Sequence, residues 1–404
     1  MPLNTTQSGE TGSIQDKAPL SITKDFPGGN IHLGSVQGNT VHLRPELRDT
    51  TTDWFYWYFA VRGAGSRTLT FILEPKYVGV RGPGVSTDGG GTWHWLGAES
   101  SSAGTFSYAF AEDIPEVRFS VGMPYVRSDW ESFLQALPLG AESRTESLAQ
   151  TARGRDVPLL LMGKQNAPLC VAITGRQHAC EMMASYVIEG IVEGVFAGDA
   201  AGKWLRENVG FFIVPLVDAD GVEQGDQGKN RVPHDHNRDY QGMSVYEEVR
   251  ALKERLPVWS AGRPLITFDL HCPALCGPVH ESVFFIEPGD RIQAGRVDRL
   301  SECLGRVEGE SGIARHPNKL AFGAGFNTTP ASDKRNFSSW SSALPNSFLA
   351  VSLEIAYANA SGSEVNAGSA RELGRHFAIA LRDWLTDEQS LIPFLNPPGD
   401  SSSS

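Results

Sequence analysis

The chain has 404 residues, 40% hydrophobic and 20% charged, with 35 basic side chains against 47 acidic ones and a formal net charge of -12. It is long enough for two domains with cores of their own, and its acidity argues against nucleic acid or an anionic membrane as the main partner. No stretch reaches the roughly 18 uninterrupted apolar residues that a membrane span needs. The opening MPLNTTQSGETGSIQDKAPL lacks the basic start and apolar core of a secretory signal, so a cytoplasmic location is expected. Cys170, Cys180, Cys272, Cys276 and Cys303 are odd in number and lack framework spacing, which suits buried reduced thiols.

Residues 1–25 are polar and rich in Ser, Thr and Gly, and read as a flexible arm. Over 26–137 the signals are β. DWFYWYFAVRG (53–63), TLTFILEP (68–75), FSYAFAED (106–113) and VRFSVGMP (117–124) are short aromatic and β-branched runs between Gly/Pro/Ser turns. That punctuation predicts a β-sandwich. Over 138–392 the texture changes. Apolar runs PLLLMG (158–163), PLCVAITG (168–175), GFFIVPLV (210–217), PLITFDLH (264–271), SVFFIEP (282–288) and SFLAVSLEIAYA (347–358) alternate with helical stripes. Three stripes stand out: Met183/Val187/Ile191/Val195, Val297/Leu300/Leu304/Val307 and Leu373/Phe377/Leu381/Trp384. Strands apolar throughout, interleaved with amphipathic helices, predict an α/β domain whose mixed, mostly parallel sheet is covered on both faces. The tail 393–404 reads as disordered.

Sites in such domains form at the carboxyl ends of strands, and the polar residues fall there. His178 follows the run 168–175, with Glu181 opening the next helix; His271 ends the run 264–271; Glu354 lies late in 347–358. His178, Glu181 and His271 make a His₂Glu set, one of the recurrent catalytic zinc shells, with a fourth position left for water. Zinc would lower the pKa of that water from about 15.7 to about 7, and a nearby carboxylate could then take its proton. Glu354 is the candidate base. Asp269, two residues before His271, is on the same strand face and could help to order the site.

In this order, HACE (178–181), NRDY (237–240), DLH (269–271) and SLEIAY (352–357), the motifs resemble the zinc metallocarboxypeptidases of the pancreatic carboxypeptidase type. The resemblance covers about 140–390. WFYWYFAVRG and PYVRSDW (124–130), in a β region just ahead, and PLVDADGVEQGD (215–226) are most similar to the cytosolic carboxypeptidase subfamily with its N-terminal β domain. The resemblance implies one Zn2+ per chain on His178, Glu181 and His271, with Glu354 as general base and proton shuttle. It also implies that Asn237 and Arg238 hold the substrate's terminal carboxylate, a bidentate task that suits guanidinium.

Two features depart from the family's pattern. The family's further arginine, which polarises the scissile carbonyl, has no counterpart in its slot near Gly228; Lys229 or Arg231 must serve, and Arg231 is the expectation. The family's substrate-capping tyrosine has no counterpart either, since 320–353 holds no tyrosine and only Phe337 and Trp340 among larger rings near that slot. His234 and His236 are expected to orient the Asn-Arg loop, and His280–Glu281 to line the cleft. The subfamily resemblance suggests acidic substrate ends, met by Lys229, Arg231, Lys334 and Arg335.

The expected activity is therefore hydrolysis of a peptide or amide bond next to a free carboxylate, on a peptide or protein C-terminus. A zinc amidohydrolase acting on a cell-wall peptide or an acyl-amino acid would use the same residues. A non-catalytic carboxypeptidase-like binding protein is the alternative from another class.

Overall fold

The structure, a computed structural model, describes residues 19–395 except 76, 103, 141, 165, 310–311, 316–317 and 329–334. The expectations for 1–18, Lys334 and 396–404 fall outside the described residues.

The β region is built from two five-stranded sheets. One runs Ser21–Thr23, Tyr58–Arg62, Glu116–Ser120, Gly84–Ser86, His94–Trp95. The other runs His32–Gln37, Thr40–Arg44, Thr68–Leu73, Thr105–Ala109, Ser101–Ser102. Alternation sends Leu69, Phe71 and Leu73 inward. The sheets meet through rings: Phe119 of the first lies 5.3 Å from both Phe71 and Phe106 of the second, tilted by 44° to each, within the centroid range of favourable aromatic pairs. Ser21–Thr23, inside the stretch expected to be a flexible arm, instead pairs antiparallel with Tyr58–Arg62. An unpaired strand edge offers backbone partners even to a polar segment.

The α/β region holds an eight-stranded sheet in the order Ser143–Gln150, Asp156–Met162, Val209–Val214, Leu169–Gly175, Leu265–His271, Ser347–Glu354, Phe284–Ile286, Lys319–Leu320. The four central strands, Val209–Val214 to Ser347–Glu354, are mutually parallel. Antiparallel pairs flank them on both sides. Two cores follow from the period of two. Val171 and Ile173 face the helices Met183–Phe196, Arg291–Glu308 and Ala367–Asp387, while Cys170 and Ala172 face the helix Glu247–Ser260. The chain's end differs from the expected tail. Leu391 is buried and residues Ile392–Leu395 form a last helical turn, because burying apolar area can order a short segment.

The β region and the α/β region share one continuous apolar core. Phe55 meets Tyr357 edge-on at 5.3 Å, and Tyr125 meets Tyr186 at 5.1 Å. Among the described residues no helix is long and apolar enough to cross a membrane. Four of the five cysteines are buried; Cys276 is exposed, contrary to expectation, on the loop after the strand Leu265–His271.

Candidate metal centre

Three adjacent parallel strands end at one edge of the sheet. His271 and Glu354 are direct cross-strand partners at the last pair of their ladder, and the chain turns out of Leu169–Gly175 straight into His178. Glu181 lies in this turn, its N–H donating to the His178 carbonyl at 3.2 Å, and the helix begins two residues later at Met183 rather than at Glu181.

The turn is held from both sides. Arg176 sits at φ 60, and its buried guanidinium donates to the carbonyls of Ala179 (3.1 Å) and Tyr125 (2.9 Å) and to the Ser185 hydroxyl (3.2 Å). From the other side Gln227 accepts the Cys180 N–H at 3.2 Å. Gly228, at φ 76, comes so close that an added Cβ would sit 2.1 Å from the Ala179 nitrogen. Only glycine permits that approach.

His178 Nδ1 lies 2.9 Å from Glu181 Oε1, and His271 Nδ1 lies 2.8 Å from Glu181 Oε2. One ligand atom from each residue falls within 4.8 Å of the others. The far side of each imidazole faces a carboxylate: His271 Nε2 is 2.8 Å from Asp269 Oδ2, and His178 Nε2 is 3.6 Å from Asp235 Oδ1. Asp269 is fixed in turn by the Thr174 hydroxyl at 2.7 Å. Carboxylates behind ligating histidines set the tautomer that leaves the other nitrogen free for a metal. Burial alone would raise the Glu181 carboxyl, but His178, Lys229 and His271 hold it well below the usual carboxylate range. Burial would lower His271, yet Asp269 and Glu181 raise it well above the usual imidazole value. The pocket favours positive charge where the three donors converge, and donors and charge both suit zinc.

These residues open onto a cavity of about 270 Å³ lined by His178, Lys229, Asn237, Arg238, His271 and Glu354, with a far wall from 286–293, 322–327 and 336–342. Glu354 is buried with its Oε2 unpartnered among the described residues. Burial raises its pKa, against the lowering charge of His271. The Lys229 ammonium lies 2.7 Å from Glu181 Oε1. Asn237 is buried, its Oδ1 accepting the Phe337 N–H at 3.1 Å, whereas Arg238 is exposed and donates to the Asn237 carbonyl at 2.8 Å.

Arg231 departs from expectation. Its guanidinium is spread over three carboxylates, Asp218 (2.8 Å), Asp49 (3.1 Å) and Asp226 (3.1 Å), and it does not line the cavity. A guanidinium with five donors is drawn to such a carboxylate cage, which leaves Lys229 as the cation beside the donor set. His234 and His236 are held by Asp239 (2.7 Å) and Glu248 (2.6 Å) beneath the Asn237–Arg238 turn, which fits an orienting role. His280 and Glu281 do not line the cavity, but Phe326, stacked on His280 at 6.1 Å, does. Sequence reasoning missed Asp235, Phe322 and Phe326. Asp235 lies two residues before the Asn-Arg pair and could have been found as an acid beside it; the two phenylalanines sit in a glycine-rich loop with no strand or helix signal.

Residues 131–253 match the zinc carboxypeptidase family. The chain is 24% identical over 295 residues to cytosolic carboxypeptidase 6 of Caenorhabditis elegans, covering 64% of this chain and 63% of that protein. It is 28% identical over 189 residues to cytosolic carboxypeptidase 1 of Xenopus laevis, covering 41% of this chain and 15% of that protein. The chain thus spans less than two thirds of these curated relatives' length. Among solved structures, a metallo-carboxypeptidase from Burkholderia cenocepacia shares the fold over 91% of this chain and 99% of its own, with a TM-score of 0.75 at 20% identity.

Proposed function

We propose that the chain, whose residues 131–253 match the zinc carboxypeptidase family, is a zinc-dependent metallocarboxypeptidase that hydrolyses a peptide or amide bond next to a free carboxylate. The observation that carries this reading is one cleft holding a converging His178/Glu181/His271 donor set, an unpartnered buried carboxylate on Glu354 and an exposed guanidinium on Arg238.

His178, Glu181 and His271 would hold zinc, which would supply an acidified water and a polarised carbonyl. Glu354 accepts the proton of the attacking water and returns it to the leaving amine; its raised pKa suits a group that must do both. Arg238 pairs with the terminal carboxylate, and Asn237, anchored by Phe337, adds an amide donor. Lys229, in place of the expected Arg231, offers positive charge to the oxygen on which charge develops. No tyrosine lines the cleft among the described residues; the aromatic side chains on its far wall are Phe322 and Phe326.

The test is to load the purified protein with zinc, count the metal per chain, and follow a panel of peptides with acidic, basic and apolar ends by mass spectrometry. One zinc per chain and stepwise loss of the last residue are expected. Release of internal fragments, or no cleavage across the panel by fully loaded protein, contradicts the reading.

A further inference from the structure

The β region does more than precede the catalytic region: its segment 46–57 reaches the metal turn. Asp49 accepts the Gln227 and Gly228 N–H groups at 3.0 and 2.8 Å, and the Gln227 side chain bonds both backbone groups of Tyr56 at 2.9 Å. These contacts fix the backbone just before Lys229, and the Thr51 N–H, donating to the Asn230 carbonyl at 3.1 Å, fixes it just after. One β-region side chain then reaches Lys229 itself. The ammonium lies 5.4 Å from the centroid of the Trp54 ring, within the range at which a cation is drawn to an indole face. The ring cannot swing freely: its N–H points at Cys180 Sγ at 3.2 Å, and Phe55 stacks on it at 5.2 Å. Cys180 lies between the ligands His178 and Glu181 in the chain.

We propose that Trp54 is a positioning residue for Lys229, its ring face and the Glu181 carboxylate together holding the ammonium in the cleft beside the donor set. A lysine has four flexible side-chain bonds and no fork geometry. Left alone, it would sample rotamers that take its charge out of the cleft. An aromatic face attracts the ammonium without neutralising it, whereas a second carboxylate would cancel the charge the cleft uses. The β region thereby becomes part of the active site. The catalytic consequence rests on the reading of Lys229 given above; the positioning itself does not.

The experiment has two arms. In the metal-stripped protein, acetic anhydride labelling is followed at Lys229 by mass spectrometry. Labelling is expected to be slow in wild type and in Trp54→Phe, which keeps a ring, and several-fold faster in Trp54→Leu. Equal rates in all three overturn the proposal, as does Trp54→Phe behaving like Trp54→Leu, which would assign the effect to the N–H on Cys180. In the zinc-loaded protein, Trp54→Leu is expected to lower kcat about tenfold with little change in KM, zinc content staying at the wild-type level. Added to Lys229→Ala, the same change is expected to cost nothing further. Independent, additive losses mean a structural role for Trp54 and overturn the proposal. Full activity in Lys229→Ala would instead remove the catalytic role of Lys229, while the labelling arm still decides the positioning.

Discussion

The two sides of the cleft are built differently. On the metal side, His178, Glu181, His271 and Glu354 sit at strand ends or in the turn that leaves one, are buried, and are braced by Arg176, Asp269, Asp235 and a β-region segment. On the far side, Phe322 and Phe326 are 44% and 49% exposed on a loop whose Gly323 and Gly325 adopt positive φ. Bracing of this kind suits the proposed chemistry, which tolerates little misplacement. An open loop suits contact with a substrate whose end residue varies, as the proposed function requires.

Substitution tests this division. The largest effects belong to the metal side: His178→Ala or His271→Ala is expected to abolish both bound zinc and hydrolysis, read by metal analysis of the purified variants. Full zinc occupancy in either would remove that residue from the donor set. Glu354→Gln is expected to keep its zinc and lower kcat by about 10³-fold or more. With wild type, the acid limb of kcat/KM should lie above the ordinary glutamate value. Burial raises the Glu354 pKa, and the group must be ionised to accept a proton, so activity falls as pH drops through that raised value. A limb at or below the ordinary glutamate value would point to another base.

Arg231→Ala is expected to act on stability. Removing one partner from a buried charge cluster typically costs about 3–5 kcal/mol, here taking the shared cation from Asp49, Asp218 and Asp226, of which Asp226 keeps Arg48. Urea unfolding should show it, and Arg231→Lys should recover part of the loss with kcat near wild type. A stable Arg231→Lys with kcat down a hundredfold would return Arg231 to the chemistry. The smallest effects belong to the far wall. Phe322→Ala and Phe326→Ala should leave zinc content unchanged and shift KM by less than about tenfold, to different extents for different end residues.

The same division governs what could be read from the chain. The central strands were legible because they are apolar on both faces, and the donors because strand ends bring distant positions together. Ser143–Gln150 escaped because SRTESLAQ is a mostly polar edge strand; its place is set by pairing with Asp156–Met162, which no local pattern announces. Arg231 and Lys229 stand two residues apart with the same charge, and only the three-dimensional positions of Asp49, Asp218 and Asp226 decide that one is caged while the other faces the donor set. The reach of Trp54 into the metal turn was hidden for the same reason.

The central claim is that this cleft recognises a chain end, and one comparison tests it most directly. The zinc-loaded protein is given the same peptide as the free acid and as the C-terminal amide, with release of the last residue followed by mass spectrometry. The free acid should lose its last residue while the amide stays intact, and Arg238→Ala should raise KM for the free acid about tenfold or more. Equal cleavage of acid and amide would contradict the account, whatever the metal content.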